Sequence, residues 1–172
     1  MWLEKSGLNQ IDDSIFEIIG KALFIAQKYE ITCKDIVSMF LAIETVLVPN
    51  TNASLDEFIS YSERLRKLFL GQLINIANDK IRDQLTEDNL AILDKGTKSR
   101  NWLVHQCCKK LIAENVTRTK PKIDISDFPF HIQNLLAADF LVSKWSFEFH
   151  EKERAYISKE KYIDSILEWA IP

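Results

Sequence analysis

The chain has 172 residues, 47% of them hydrophobic and 27% charged, which is the composition of one folded soluble domain and too short for two of ordinary size. Glycine occurs 4 times where average usage gives roughly a dozen, so a many-turned sandwich or barrel is disfavoured and long helices are expected. A formal net charge of −3 excludes a generic basic nucleic-acid coat and a polybasic membrane binder.

In chain order the apolar pattern is helical almost throughout. Leu8, Ile11, Ile15, Ile18, Ala22, Ile25 and Tyr29 step by three and four and predict a first helix. Thr32 to Asp35 predicts the opening of a second, with Ile36, Phe40, Ile43 and Leu47 on one face until Pro49 stops it. After a polar loop from Pro49 to Asn52, Ser54-Leu55-Asp56-Glu57 reads as a capping box. The helix it opens carries Phe58, Leu65, Leu68, Phe69 and Ile76 and is expected to end near Asp79. Thr86 offers another start, with Leu90 and Leu93 inward. Gly96 is expected to kink or divide this element before Asn101, Val104, Cys108 and Leu111 continue its stripe to about Val116. Thr117 to Asp127, holding Pro121, reads as a long exposed loop. Leu135, Ala138, Val142, Trp145 and Phe149 mark a long helix, and Ser158 to Lys161 opens a short last one ending at Trp169. The expected fold is one all-α domain over residues 1–172, an up-and-down bundle of about five to six helices with its Phe and Trp stripes in the core.

Several chemistries lack their residues. Cys33, Cys107 and Cys108 are odd in number and badly spaced for a disulfide framework, and no apolar leader follows Met1, so a reducing cytoplasmic setting is expected. The apolar run from Ile36 to Val48 is broken by Glu44 and is too short to span a bilayer, so no membrane association is expected. His105, His131 and His150 are scattered, no Cys-x-x-Cys or His-Glu-x-x-His occurs, and the glycines form no phosphate loop. Neither a metal nor a cofactor is expected.

One stretch carries chemistry: Lys98-Ser99-Arg100-Asn101-Trp102-Leu103-Val104-His105. On an α-helix Asn101 and His105 share a face one turn apart, extended by Thr97 and Cys108, while Arg100 lies about 140° around from His105. Arg100 then reaches the same groove by its length, or meets the histidine of a second copy across a two-fold axis. The residue types suit phosphodiester chemistry. Arginine binds phosphate oxygens bidentately and stabilises added charge, histidine exchanges protons near neutrality, and asparagine orients the histidine or donates to phosphate. RNA supplies its own nucleophile in the 2′-hydroxyl, so one base and one cation suffice. In the opposing structural reading, Arg100 is a solvated helix arginine, His105 a partly buried ring bonded to a carbonyl, and Cys107 and Cys108 small packed residues.

Arg100-Asn101-x-x-x-His105 resembles the Arg-x4–6-His motif of HEPN domains, whose residue after the arginine is typically polar and often asparagine. The similarity extends over about residues 55 to 116, including Lys67-Leu68-Phe69-Leu70-Gly71-Gln72-Leu73-Ile74. The loose motif arises by chance roughly 0.3 times in such a chain, and requiring the asparagine lowers that to roughly 0.005. The resemblance implies an all-α bundle, a homodimer in which two copies of Arg100 and His105 face one cleft, and metal-independent endoribonuclease activity of a toxin–antitoxin or antiphage system. It implies a cognate antitoxin or a nucleotidyltransferase as protein partner. Some members paired with a nucleotidyltransferase carry a tyrosine two residues after the histidine; here that position is Cys107, a departure from their mode of control.

The alternative expectation is a non-catalytic HEPN-like interaction module that binds a partner protein or a nucleotide through the same groove. The acidic helices outside the motif region suit a protein partner better than bulk RNA, whereas the motif region itself admits RNA at one local site. From Lys95 to Lys122 eight basic residues face one acidic, Glu114, so this window carries +7 and the remaining chain −10. Lys95, Lys98, Lys109 and Lys110 are the expected RNA-binding residues around Arg100, Asn101 and His105.

Overall fold

The computed structural model describes residues 13–49, 52–81, 85–107, 126–154 and 156–171. Within them the chain is an all-α bundle of six helices with no strand. The first, α1 (Asp13–Ala42), buries Ala22, Ile25, Ala26, Tyr29, Cys33, Ile36 and Val37 in an unbroken stripe. That stripe runs through Thr32–Asp35, so no second helix opens there: a capping side chain acts only where the backbone turns extended, and here it stays helical. The helix widens into a five-residue π-type turn, Ile43–Leu47, closed by the Val48 N–H on the Ile43 carbonyl at 2.9 Å. Branched Ile43, Thr45 and Val46 crowd a regular helix, and Pro49 has no N–H to extend one.

The capping box at Ser54 forms as expected, with the Glu57 N–H donating to Ser54 Oγ at 3.2 Å and the Ser54 N–H to Glu57 Oε2 at 2.9 Å. It opens α2 (Leu55–Arg66), which ends well before Asp79. The chain turns at Lys67–Phe69 and restarts as α3 (Leu70–Lys80), the Phe69 N–H donating to Gln72 Oε1 at 3.2 Å. Phe69 is therefore 79% exposed at a helix junction instead of in the core.

Thr86 caps α4 (Glu87–Asn101), accepting from the Asn89 N–H at 3.2 Å, and a second π-type turn, Trp102–Gln106, continues it. Then comes α5 (Phe128–Glu151), with Pro129 in its first turn, where a missing N–H costs nothing. Lys152, in the left-handed region at φ 57°, ends it. Last is α6 (Lys159–Ala170), capped by Ser158 Oγ. The expected continuation through Cys108, Leu111 and Val116 lies outside the described residues, as does the Thr117–Asp127 loop up to residue 125.

Helices α1 and α5 form the centre, with α4 against α5, α2 and α3 against α1, and α6 against α5. Ile132, Leu135, Leu136, Ala138 and Val142 of α5 meet the α1 stripe and Leu93 of α4 in one core. Gly96 neither kinks nor divides α4; it is the point of closest approach. A methyl group added there would sit 2.2 Å from the Ala138 Cβ and 3.3 Å from the Tyr29 ring carbon that bears the hydroxyl. The absent side chain lets α4 lie close to α5 and to the Tyr29 hydroxyl, which donates to the Leu93 carbonyl at 3.2 Å and meets Thr97 Oγ1 at 3.3 Å. The aromatic residues divide: Trp145 packs against the core, whereas Phe24, Phe130, Tyr156 and Trp169 are exposed. No helix among the described residues is long and apolar enough to cross a membrane.

Candidate functional site

Because Gly96, Thr97 and Leu93 turn one side of α4 into the core, the next residues along the helix are aimed by that docking. Ser99 faces α5 and Arg100 faces α1. Arg100 Nη2 donates to Glu30 Oε2, and Nη1 donates to the Oδ1 of adjacent Asn101 at 3.0 Å. Arg100 Nε is buried with no hydrogen-bond partner, so this guanidinium keeps donor capacity that the protein does not fill.

Glu30 also accepts from Lys34 Nζ at 2.9 Å, one turn along α1. Burial works to raise the Glu30 carboxyl, but the Lys34 hydrogen bond and the charges of Arg100 and Lys34 outweigh it and hold the group below the usual carboxylate range. One carboxylate thus stands between two cations, leaving the local balance positive.

The backbone after Arg100 is not regular. Within Trp102–Gln106 the Cys107 N–H reaches back five residues to the Trp102 carbonyl. In such a turn positions i and i+5 approach one face, as i and i+4 do in an α-helix. The 140° expectation for Arg100 and His105 rests on a regular step of about 100° per residue, from which the Trp102–Gln106 turn departs, while Arg100 itself lies before the turn on regular helix. His105 is exposed, and no hydrogen bond or ion pair joins it to Arg100 or Asn101. Thr97, expected on the same groove as Asn101, is instead buried against Tyr29 while Asn101 is exposed. Cys107 is buried with its Sγ donating to the Leu103 carbonyl at 2.6 Å.

A second histidine stands beside the turn. His131, in the first turns of α5, has its Nδ1 3.2 Å from Ser99 Oγ, and its ring stacks on Trp102 with centroids 4.0 Å apart and planes 15° from parallel. Phe128 also meets Trp102 edge-on, with centroids 5.4 Å apart. Burial lowers the His131 ring below its ordinary pKa, and the Asp127 charge opposes that only in part.

Of the residues expected to bind RNA, Lys95 and Lys98 are exposed on α4, Lys98 in an exposed ion pair with Asp94 at 2.6 Å. Lys109 and Lys110 lie outside the described residues. Sequence reasoning missed Glu30, Ser99 and His131. Ser99 lies inside the motif stretch; Glu30 and His131 are 70 and 32 residues from the side chains they bond, with no local signal linking them. A cavity of about 510 Å³ opens elsewhere, between the end of α1 and α2, lined by Thr45, Asp56, Glu57, Tyr61 and Arg64 among others, with no motif residue. Among the described residues no group of three or more His, Cys, Asp or Glu is arranged to hold a metal ion. No family model, no curated protein and no solved structure matches the chain.

Proposed function

We propose that the chain is a metal-independent endoribonuclease of HEPN type, acting in a cytoplasmic toxin–antitoxin or antiphage system. The observation that carries this reading is the Arg100 guanidinium at the end of α4, bonded to Asn101 and holding an unfilled donor. It is followed, after Asn101, by a widened turn that carries the exposed His105. Arg100 binds the scissile phosphate, displacing part of its bond to Glu30, and stabilises the charge that builds on the pentavalent centre. His105 takes the proton of the attacking 2′-hydroxyl or gives one to the leaving 5′-oxygen. The 2′-oxygen bonds to phosphorus as the 5′-oxygen leaves, so the products are a cyclic phosphate and a 5′-hydroxyl. Two copies related by a two-fold axis divide the acid and base roles between their histidines. An antitoxin or nucleotidyltransferase restrains the dimer. Lys95, Lys98, Lys109 and Lys110 hold the flanking backbone.

A second reading is a non-catalytic module that binds a partner protein or a nucleotide. The Arg100–Glu30 ion pair favours it, since a carboxylate partner is also what a structural arginine keeps. One assay separates the two: cleavage of mixed RNAs in excess chelator, with analysis of the new ends. His105→Ala and Arg100→Ala should each lower the rate about 100-fold or more while helicity stays unchanged. Wild-type protein that leaves every RNA intact and does not slow growth on expression rejects the nuclease.

A further inference from the structure

Phe130, in the first turn of α5, is 64% exposed. It does not stand alone. Its edge meets His131 with centroids 5.3 Å apart and planes at 76°. His131 in turn lies flat on Trp102, the residue that follows Asn101 and begins the widened turn. Three rings therefore run in contact from the motif turn to solvent, and the two inner ones are locked by Ser99 and Phe128. A rigid outer ring loses little entropy when it receives a flat ligand.

The charge beside the rings selects the ligand. Lys98 precedes Trp102 by four positions and Lys95 precedes it by seven, so both lysines share its face of α4. Lys98 is 75% exposed, and its ion pair with Asp94 is of the solvent-screened kind that a phosphate readily replaces. Asp127 lies at the start of α5 and disfavours a phosphate directly over His131. Cations along α4, a carboxylate by the rings and an exposed aromatic face match a polyanion whose bases are unpaired and turned away from its backbone. That ligand is single-stranded RNA.

We infer that Phe130, backed by His131 and Trp102, is a stacking platform for one unpaired nucleobase of an RNA strand whose phosphates follow Lys95 and Lys98. This rests on the RNA reading above and adds to it a demand for unpaired substrate. Stacking on a π-face is tolerant of base identity, so the platform confers strand preference with little sequence preference.

The test uses the full chain in a His105→Ala background, which blocks cleavage, and a short single-stranded oligoribonucleotide carrying 2-aminopurine. Binding should quench the 2-aminopurine, and a duplex of the same sequence should bind more weakly. Phe130→Ala should weaken binding about 5-fold to about 150-fold and abolish the quench, whereas Phe130→Trp should retain both. Because Phe130 is a surface residue, these variants should unfold at the wild-type temperature. Equal affinity and quench in Phe130→Ala overturn the platform while leaving the nuclease standing. A Phe130→Ala variant that sediments as a smaller species yet binds RNA normally assigns the ring to a protein contact and overturns it too. Failure of every RNA to bind removes the platform together with the RNA reading.

Discussion

Two charged clusters tie α1 to the rest of the bundle, and they differ in how fully their hydrogen bonds are used. In the first, Asp139 of α5, 1% exposed, accepts from Lys28 Nζ at 2.8 Å and 2.7 Å and from the Tyr162 hydroxyl. Lys28 also donates to Ser143 Oγ at 2.9 Å. Burial, with the Asp139 charge and hydrogen bond, pushes the Tyr162 hydroxyl well above its ordinary range. Three helices meet there, and every polar atom named has a partner inside the protein. In the second, Arg100 gives one nitrogen to Glu30 and one to Asn101 and leaves its buried Nε without a partner. A buried group left unsatisfied costs stability, so a fold keeps one where something else gains from it. The saturated cluster reads as a fastening between helices, and the unsaturated one holds the arginine that the proposed nuclease would use to bind phosphate.

The largest effect that separates them is on stability. Asp139→Ala removes the acceptor on which Lys28 and Tyr162 converge, and its expected cost is about 2–4 kcal/mol in urea unfolding. The range sits below that of a fully buried pair because Lys28 is partly exposed and returns to water. Asp139→Asn, which keeps one acceptor oxygen, should recover part of the loss. A cost below about 1 kcal/mol for the alanine variant would remove the fastening role, and with it the contrast.

That contrast was hardly legible in the sequence, for a physical reason. Local signals were readable: Ser54, Thr86 and Ser158 cap helices as their side chains predict, since a cap is decided within four residues. Gly96 was legible as special but not as a crossing point, because what approaches it is Ala138, far along the chain. Phe69 passed for a core residue because periodicity carries on through a junction that only the backbone reveals. The motif itself was readable as Arg100, Asn101 and His105. Its Glu30 partner and the His131 support were not, since both arise from packing between distant helices. The widened turn was also invisible, since its five-residue backbone bond leaves no mark in side-chain periodicity.

A smaller effect probes the unsaturated side. Glu30→Gln removes the carboxylate from Arg100 and Lys34 but leaves an amide of the same shape. Because this pair is partly open to water, the expected loss is under about 1 kcal/mol, or roughly 2–4 °C in Tm for a chain of this size. The same variant should bind inorganic phosphate more tightly than wild type, measured by the shift of the Arg100 Nε resonance, since the competing anion is gone. A destabilisation as large as that of Asp139→Ala, without any gain in phosphate binding, would place both clusters in the fastening class. Acid adds a second handle. The folded Glu30 lies below its unfolded value of about 4.3, so its stabilising contribution is present above that pH and is lost as the pH falls through the folded value.

The smallest effect is a pH dependence confined to the motif side. His131 is the titratable ring packed against the widened turn; the groups facing it are Ser99 and Trp102 from α4 and Asp127 at the head of its own helix. Its folded pKa is depressed, chiefly by burial, relative to an unfolded value of about 6.5. The unfolded chain therefore binds the proton first. The contribution of neutral His131 is complete above about 6.5 and is lost as the pH falls from there through the folded value. Wild type should lose on the order of a degree in Tm across this window, since a partly solvated ring is screened. His131→Asn keeps a polar partner for Ser99 but does not titrate, so it should flatten that slope while leaving the Asp139 cluster, which contains no histidine, untouched. The check is the Tm of both proteins at several pH values between about 5 and 7.5, read alongside Trp102 fluorescence. Parallel curves would detach His131 from the motif turn, whereas convergence of the two at low pH would identify the ring that couples this half of the molecule to acid.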